Sequence, residues 1–255
     1  MRFVPLLSAS IFAIGLALPA SAQDRSFNFS LRGGAAAVPD YPGSDNYQGA
    51  ADFGFKFGAL KWGGTDIGSG VRGIPANGFT YFGAFKVIGE RDSDDYDELT
   101  GLDDIDTAVE LGFGIGYQQT YWKAFGEVRK GIGGHTAVTG TVGADLIYRP
   151  SDRWLFTAGP RVNFGDSDYA NTYFGVTADE AAASSFGIYD ADGGAMSAGI
   201  EVQGTYFLDD RWAVEGAVSY EKLLNDAADS PITATGSEDQ WRVRLGLSRV
   251  FTLNF

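Results

Sequence analysis

Alternation of apolar and polar residues with a period of two restricts the fold of this chain more than any other feature. In the last sixteen residues, Trp241, Val243 and Leu245 fall on one face, while Arg242 and Arg244 fall on the other. Successive side chains of a β-strand point to opposite sides, so this pattern predicts a strand with one apolar face. A soluble strand usually has five or six residues, whereas sixteen suit a tilted strand that crosses a membrane and extends beyond it.

The same alternation recurs along the chain and predicts an antiparallel outer-membrane β-barrel. An even number of strands is normal for a bacterial barrel of one chain, so the odd number of segments found here contains an error. The weak stretch 61–78 is where we place it, and we expect 12 strands, with 10 as the alternative. The periodic segments lie near 27–38, 49–60, 65–72, 79–90, 105–118, 121–131, 136–149, 153–165, 195–208, 211–223 and 240–255.

Composition favours a membrane barrel over a soluble sandwich or a helical protein. The chain has 36 glycines and 14% aromatic residues, and interior glycine costs a helix about 1 kcal/mol per residue. Aromatic residues dominate the apolar faces, and glycine, serine and isolated charges occupy the others, as lipid outside and a polar lumen inside require. In the similar turns 148–154 and 206–212 a Tyr leaves one strand and a Trp enters the next, which suggests an aromatic girdle.

The first 22 residues have the features of a secretory signal. Arg2 precedes the apolar run from Phe3 to Leu18, and Ala20-Ser21-Ala22 resembles a cleavage site. We therefore expect a leader over 1–22, a single barrel domain over 23–255, and export to the outer membrane.

Counting strands back from Phe255 predicts which connections lie on each side of the membrane. The turns at 149–153 and 208–211 become periplasmic, and the long segments 166–194 and 224–239 face outward. The acidic segment 91–104 also falls outside in this direction. Counting forward from Gln23 places 39–48 outside but places 91–104 on the periplasmic side.

Residue counts exclude several kinds of chemistry. The chain has no Cys and one His, which removes disulfides, Cys-bearing metal sites and multi-His sites. Acidic residues outnumber basic ones 33 to 19, which argues against nucleic-acid binding. We predict no cofactor and no metal, because the 91–104 segment lacks the spacing of a calcium loop.

A barrel hydrolase would need a base, and only His135 could serve as an ordinary imidazole base. It lies in the glycine-rich turn 131–136, where we expect the histidine side chain to be exposed to solvent. We therefore predict that the protein is not an enzyme.

Charges of both signs fall on the polar faces, so a closed, cross-linked lumen competes with a small-solute channel. The inward residues predicted from the alternation are Lys56, Lys86, Glu110, Glu127, Asp145, Arg161, Glu201, Glu215, Glu221, Arg242 and Arg244.

Four stretches spread over the chain resemble the MipA/OmpV family of outer-membrane proteins. Glu90-Arg91 departs from the Gly-Arg pair expected before the acidic segment. The stretches are Pro39-Asp40-Tyr41-Pro42-Gly43-Ser44-Asp45; Leu99 to Asp106 continuing into Glu110-Leu111-Gly112; Gly159-Pro160 followed by Tyr169 to Val176; and Ser230-Pro231-Ile232 after Lys222 to Asp226.

The residues of these stretches also have plain structural readings. The loop Pro39–Asp45 has the Pro, Gly and Asp content of a turn, and we expect structure there rather than ligand binding. We expect Tyr173-Phe174-Gly175-Val176 to be a packed loop at the barrel mouth, with a plug or lid as the alternative. Gly246, Phe251 and Phe255 look like the terminal-strand signal that the outer-membrane assembly machinery reads.

The resemblance implies a structural and interaction role. The family is associated with scaffolding of murein-remodelling enzymes, a lytic transglycosylase and a penicillin-binding protein, on the periplasmic side. Its other expected partners are outer-membrane lipid and the assembly machinery. A narrow small-solute porin is the alternative function, followed by an outer-membrane hydrolase.

Overall fold

The computed structural model describes residues 25–68 and 77–255, and these form one antiparallel sheet of eleven strands. The predicted leader 1–22 lies outside the described residues. The strands are β1 Ser26–Pro39, β2 Tyr47–Trp62, β3 Thr65–Gly68, β4 Gly78–Ile88, β5 Ala108–Gln118, β6 Trp122–Gly133, β7 Val138–Ser151, β8 Trp154–Gly165, β9 Gly194–Phe207, β10 Trp212–Leu223 and β11 Asp239–Asn254.

Four short α-helices lie in the connections, and none in the described residues is long and apolar enough to cross a membrane. Two 3-10 turns, at Ser93–Asp95 and Asp97–Leu99, lie between β4 and β5. The helices are α1 Ser167–Phe174, α2 Ala178–Ala183, α3 Asn225–Asp229 and α4 Pro231–Thr235.

The sheet curves into a nearly closed barrel. Its order is β3-β2-β1-β11-β10-β9-β8-β7-β6-β5-β4, so the first and last strands pair with each other. Ser26 of β1 lies opposite Asn254 of β11, and the Phe255 N–H donates to the Arg25 carbonyl at 3.1 Å. At the seam, Phe55 of β2 lies beside Gly83 of β4. The predicted antiparallel barrel is therefore confirmed.

The described residues contain eleven strands, against the twelve expected. The difference arises in the weak 61–78 stretch. There β3 has four residues, and 69–76 lie outside the described residues. Both β3 and β4 run away from the end of the barrel that holds the termini, because Thr65 pairs with Trp62 and Gly78 with Gln118. A total of twelve stays a prediction.

The connections separate into short turns at one end and long segments at the other. The end with the termini holds the turns at 63–64, 119–121, 152–153 and 208–211. The opposite end holds 40–46, 89–107, 134–137, 166–193 and 224–238. Outer-membrane barrels have short periplasmic turns and longer outer loops, so the first end is periplasmic. The placement of 91–104 with the other long segments agrees with the count made back from Phe255.

The two faces of the strands divide as the alternation predicts. Outward side chains are exposed and apolar, for example Phe113 at 70% and Leu245 at 63% exposure. Arg249, which reverses the sequence pattern, also lies on the outer face near the periplasmic end. Its guanidinium lies 5.0 Å from the ring centre of Trp212 and 5.1 Å from that of Phe251. The alternation of inward and outward side chains therefore continues through Arg249, and its charged guanidinium lies against aromatic rings.

Candidate functional site

The barrel lumen holds a network of ion pairs centred on Arg161. Its Nη1 lies 2.8 Å from Asp145 Oδ1, and its Nη2 lies 3.4 Å from Glu201 Oε1. Lys123 reaches Asp145 at 3.1 Å, and Arg244 reaches Glu201 at 3.5 Å. These contacts join β6, β7, β8, β9 and β11 across the interior, so this part of the lumen is cross-linked.

The sequence Gly159-Pro160 explains why Arg161 occupies this place. Proline has no N–H to donate, so the β7–β8 ladder is interrupted between Gly143 and Leu146. The Arg161 guanidinium donates to the Pro160 carbonyl at 3.0 Å and to the Ala144 carbonyl at 3.4 Å. A side chain thereby satisfies backbone carbonyl groups that the ladder leaves open.

Two further arginines bridge strands. Arg32 of β1 donates to Asp52 of β2 at 2.7 Å and lies 3.4 Å from Glu215 of β10. Arg129 of β6 donates to Glu110 of β5 at 2.7 Å and also bonds Glu127.

All eleven charges predicted to point inward line the lumen or, for Glu110 and Asp145, lie buried against its arginines. Sequence reasoning left out Arg32, Asp52, Lys123 and Arg129. The alternation of β1, β2 and β6 contained the signal, since each of these residues shares the face of the neighbouring polar or glycine positions.

The long connections fold over the outer mouth of the barrel as a cap with its own apolar core. We use the name cap for residues 40–46, 89–107, 134–137, 166–193 and 224–238. One cluster joins residues at the outer ends of the strands to residues of the connections, and a second consists of residues of the connections alone. The first includes Ile88, Ile105, Ala108, Tyr169, Tyr173, Phe174, Met196 and Leu223; the second contains Tyr41, Leu99, Leu102, Val176 and Ile232.

The loop Pro39–Asp45 is built into this cap. Tyr41 is 3% exposed, its hydroxyl donates to Glu98 at 3.1 Å, and its ring lies 5.1 Å from that of Tyr96. Burial, followed by the charge of Glu98, raises the pKa of Tyr41 to about 12. Gly43 has a φ of +98°, which a residue with a side chain rarely adopts, and its carbonyl accepts from the Ser237 N–H at 2.7 Å.

The four stretches of the resemblance meet in the cap. Tyr41, Leu99, Val176 and Ile232 come from different connections and pack in one cluster. The Ser230 hydroxyl donates to the Phe174 carbonyl at 2.6 Å, which joins the third stretch to the fourth. The segment Tyr173–Val176 is packed at the barrel mouth, as expected, but Tyr173 and Phe174 are the last residues of α1 rather than part of a loop.

Glu180 fastens α2 to the acidic segment. Its Oε2 accepts from the Thr177 N–H at 2.8 Å, which completes a capping box, and its Oε1 accepts from the Asp103 N–H at 2.9 Å. Burial opposes the charged form of Glu180, but these hydrogen bonds outweigh burial and hold its pKa below the ordinary value.

The expectation of a solvated His135 is wrong. Its side chain is 1% exposed, and its ring packs edge-on against Tyr169 and Tyr173 of α1. Nδ1 accepts from the Ala137 N–H at 3.2 Å, and Nε2 lies 3.4 Å from Glu110 Oε1. Burial lowers the pKa of His135, although the charge of Glu110 acts in the opposite direction. Helix α1 packs over this turn and buries the histidine, a contact that the local sequence does not indicate.

The predicted terminal-strand residues lie on β11 and at its end. Phe251 stacks on Phe29 of β1 with ring centres 5.4 Å apart, and Phe255 lies 5.6 Å from Trp62. Gly246 leaves room for the stem of Arg32, since a Cβ there would lie 2.9 Å from Arg32 Cγ.

Within residues 25–68 and 77–255, no group of three or more His, Asp and Glu side chains could hold a metal ion. The acidic segment uses part of its charge locally, because Asp104 accepts from both the N–H and the hydroxyl of Ser93.

Comparison with known proteins supports the resemblance. A family model described as MltA-interacting protein MipA matches residues 31–251. Outer membrane protein Omp26La of Vibrio anguillarum and outer membrane protein OmpV of Vibrio cholerae serotype O1 are each 38% identical to this chain over 82 residues. That stretch is 32% of this chain and spans 30% of each relative.

Among solved structures, the outer membrane protein OprG from Pseudomonas aeruginosa aligns with 89% of this chain and 97% of its own. Its identity of 14% and TM-score of 0.26 are too low to support any statement about function.

Replacement of Glu180 tests how the cap is held. We expect Glu180→Gln to lower cap stability by about 1–3 kcal/mol, because the backbone N–H groups of Asp103 and Thr177 lose a charged acceptor. Amide hydrogen exchange in α2 and residues 99–106 should become faster. In the unchanged protein, the contribution of Glu180 is present above its unfolded pKa near 4.5 and is lost as the pH falls through the lower folded value.

Asp179→Asn is the matched control, since Asp179 is the exposed neighbour of Glu180 on the same helix. Equal exchange rates in the Glu180 variant and the unchanged protein would contradict the role given to this carboxylate.

Proposed function

The chain belongs to the MltA-interacting protein MipA family, and we propose that it is an outer-membrane scaffold for murein-remodelling enzymes. The partners are a murein hydrolase of the lytic transglycosylase class and a murein synthase of the penicillin-binding class. Both would be held on the periplasmic side. Bringing two enzymes to one site raises their effective concentration without any chemistry by the barrel.

The observation that carries this proposal is the family match together with the closure of the outer mouth. The cap covers the outer end with a packed apolar core, so the surface available to a periplasmic partner is the other end. That surface, here named the periplasmic rim, consists of the turns at 119–121, 152–153 and 208–211. It presents exposed aromatic and apolar side chains, Tyr121 at 75% and Leu208 at 46% exposure, beside charged turn residues.

In-cell photo-cross-linking from the periplasmic rim tests the scaffold. A photoreactive amino acid in place of Asp152 or Asp210 should capture murein hydrolases or synthases, identified by mass spectrometry. The same amino acid in place of Asp95, which is exposed on the cap, is the control and should capture neither. Recovery of assembly chaperones alone, or of nothing, from both rim positions would contradict the scaffold.

A narrow small-solute pore is the second candidate, and the lumen supports it. The cavity of the lumen, together with its opening at the seam between β2 and β4, measures about 1350 Å³ and has a charged lining. The cap and the ion pairs of Arg161 argue for a closed lumen.

Planar bilayer recording separates the two functions. The capped barrel should give no steady conductance after verified insertion, because packed side chains close its outer mouth. Steady conductance that shifts in Arg242→Glu or Glu215→Lys would instead establish the pore, since both residues line the lumen.

We assign no enzymatic role to His135. Its Nδ1 accepts a backbone hydrogen bond, and its Nε2 is buried 3.4 Å from Glu110 Oε1, so the ring is enclosed within the packed cap. A general base must be within reach of the proton it removes, and this ring faces tyrosine side chains and a carboxylate.

We also propose that Gly246, Phe251 and Phe255 form the signal read by the assembly machinery. Removal of Phe255 should reduce the amount of barrel in the outer membrane, as measured by heat-modifiable gel migration. Phe255 contacts only the end of the barrel, beside Trp62, and Leu253→Ala provides a control for lost lipid contact on the same strand. Unchanged outer-membrane levels after removal of Phe255 would contradict the signal.

A further inference from the structure

The lumen has the opposite charge balance to the protein as a whole. The chain carries a formal charge of −14, yet the cavity is lined by ten Lys and Arg side chains and six Asp and Glu side chains. Glu110 and Asp145 lie buried behind Arg129 and Arg161, and including them leaves the lumen with an excess of cations.

Within the described residues, five of these ten cations have no acidic partner, and Arg149 and Arg211 near the periplasmic end are two of them. In the part of the chain that the structure describes, Lys56, Lys86 and Arg242 have no carboxylate oxygen within 4.0 Å. Lys86 lies opposite Glu110 in the β4–β5 register, but Arg129 holds that carboxylate at 2.7 Å. The excess therefore arises at identifiable positions.

The unpaired cations also repel other charges of the lumen. Lys86 is attracted most strongly by Glu110 but is also repelled by Arg129 and Arg242, and Lys56 is repelled by Lys123 and Arg149. The acidic side chain that attracts Lys56 is Glu215, but Glu215 already contacts Arg32. Like charges held inside a barrel cost free energy, and an anion placed between them removes that cost.

The cap carries the opposite charge. Its five connections contain 20 acidic side chains and one basic side chain, Arg91. Arg91 is 3% exposed and donates to the carbonyls of Tyr173 and Asp103, so it offers nothing to a solute at the surface. An acidic cover of this kind repels small anions from the outer side.

We propose that the lumen is a binding chamber for a small solute with two or more negative charges, held by Lys86 and Arg242 and admitted from the periplasmic end. The cavity of about 1350 Å³ accommodates such a solute together with water. Carboxylate and phosphate groups both fit this chemistry, because each accepts hydrogen bonds from Lys and Arg. The proposal does not depend on the scaffold.

Titration calorimetry on the complete protein in detergent tests the binding. The probes are citrate and tripolyphosphate at constant ionic strength, with maltotriose as an uncharged control. We expect at least one polyanion to bind, and Lys86→Gln with Arg242→Gln to weaken its binding about tenfold or more. Binding of citrate alone, or of tripolyphosphate alone, assigns the chamber to carboxylates or to phosphates.

Lys130→Gln is the matched control, because Lys130 is exposed on the outer face of β6. Heat-modifiable migration verifies that every variant is folded. The proposal is overturned if neither polyanion binds, if the double variant binds as tightly as the unchanged protein, or if Lys130→Gln weakens binding equally.

A thiol probe measures the lumen charge without a ligand. The chain has no Cys, so Ser219→Cys places a single thiol in the lumen beside Arg242, its register partner. Ser151→Cys at the exposed end of β7 is the reference. Relative to that reference, an anionic methanethiosulfonate should react faster than a cationic one, and Lys86→Gln with Arg242→Gln should remove the preference. No preference in the unchanged lumen would overturn the proposal.

The same thiol tests the direction of entry. Replacement of Asp94, Asp95 and Asp97 by Asn neutralises part of the exposed cap surface. Entry from the periplasmic end predicts an unchanged rate for the anionic reagent at Ser219→Cys. A faster rate would show entry through the cap and overturn that part of the proposal.

Discussion

Every strand of this protein must satisfy its backbone N–H and C=O groups inside a membrane that offers no water. Closure of an antiparallel sheet meets that requirement, and the pairing of β1 with β11 brings residues more than 200 positions apart into register. The remaining features follow from closure. One face of each strand meets lipid, the other is confined in a lumen, and the charges on the inner face must pair with each other or with water. Where Pro160 interrupts the ladder, Arg161 donates in its place and also becomes the centre of the ion-pair network.

Local pattern predicted the barrel well because side-chain alternation is itself a local property. It located the strands, the inward charges and the two ends, and it placed 91–104 correctly when counted from the C-terminus. It was weakest at 61–78, a stretch in which the structure describes β3 only over Thr65–Gly68. Arg249 interrupts the apolar face of β11 in the sequence, and the rule for the apolar face does not anticipate a guanidinium that lies against Trp212 and Phe251.

The cap was less accessible to sequence reasoning because its contacts are not local. His135 lies in a short glycine-rich turn, and only its position beneath α1, some 30 residues later, makes it buried. Tyr41, Leu99, Val176 and Ile232 look like unrelated loop residues until closure of the barrel brings their connections together. The family resemblance marked these stretches, but not that they share one core.

The composition of the cap sets an order of events during biogenesis. Its second apolar cluster draws one or more residues from each of four connections, between Tyr41 and Ile232, so it cannot be completed until nearly the whole chain has emerged. Contacts so distant in sequence form late, because their loop-closure entropy must first be offset by pairing of the strands between them. A packed cap therefore indicates that the strands beneath it are already paired in the correct register. A chain that stalls during assembly would leave those apolar side chains exposed, which distinguishes it from a finished barrel.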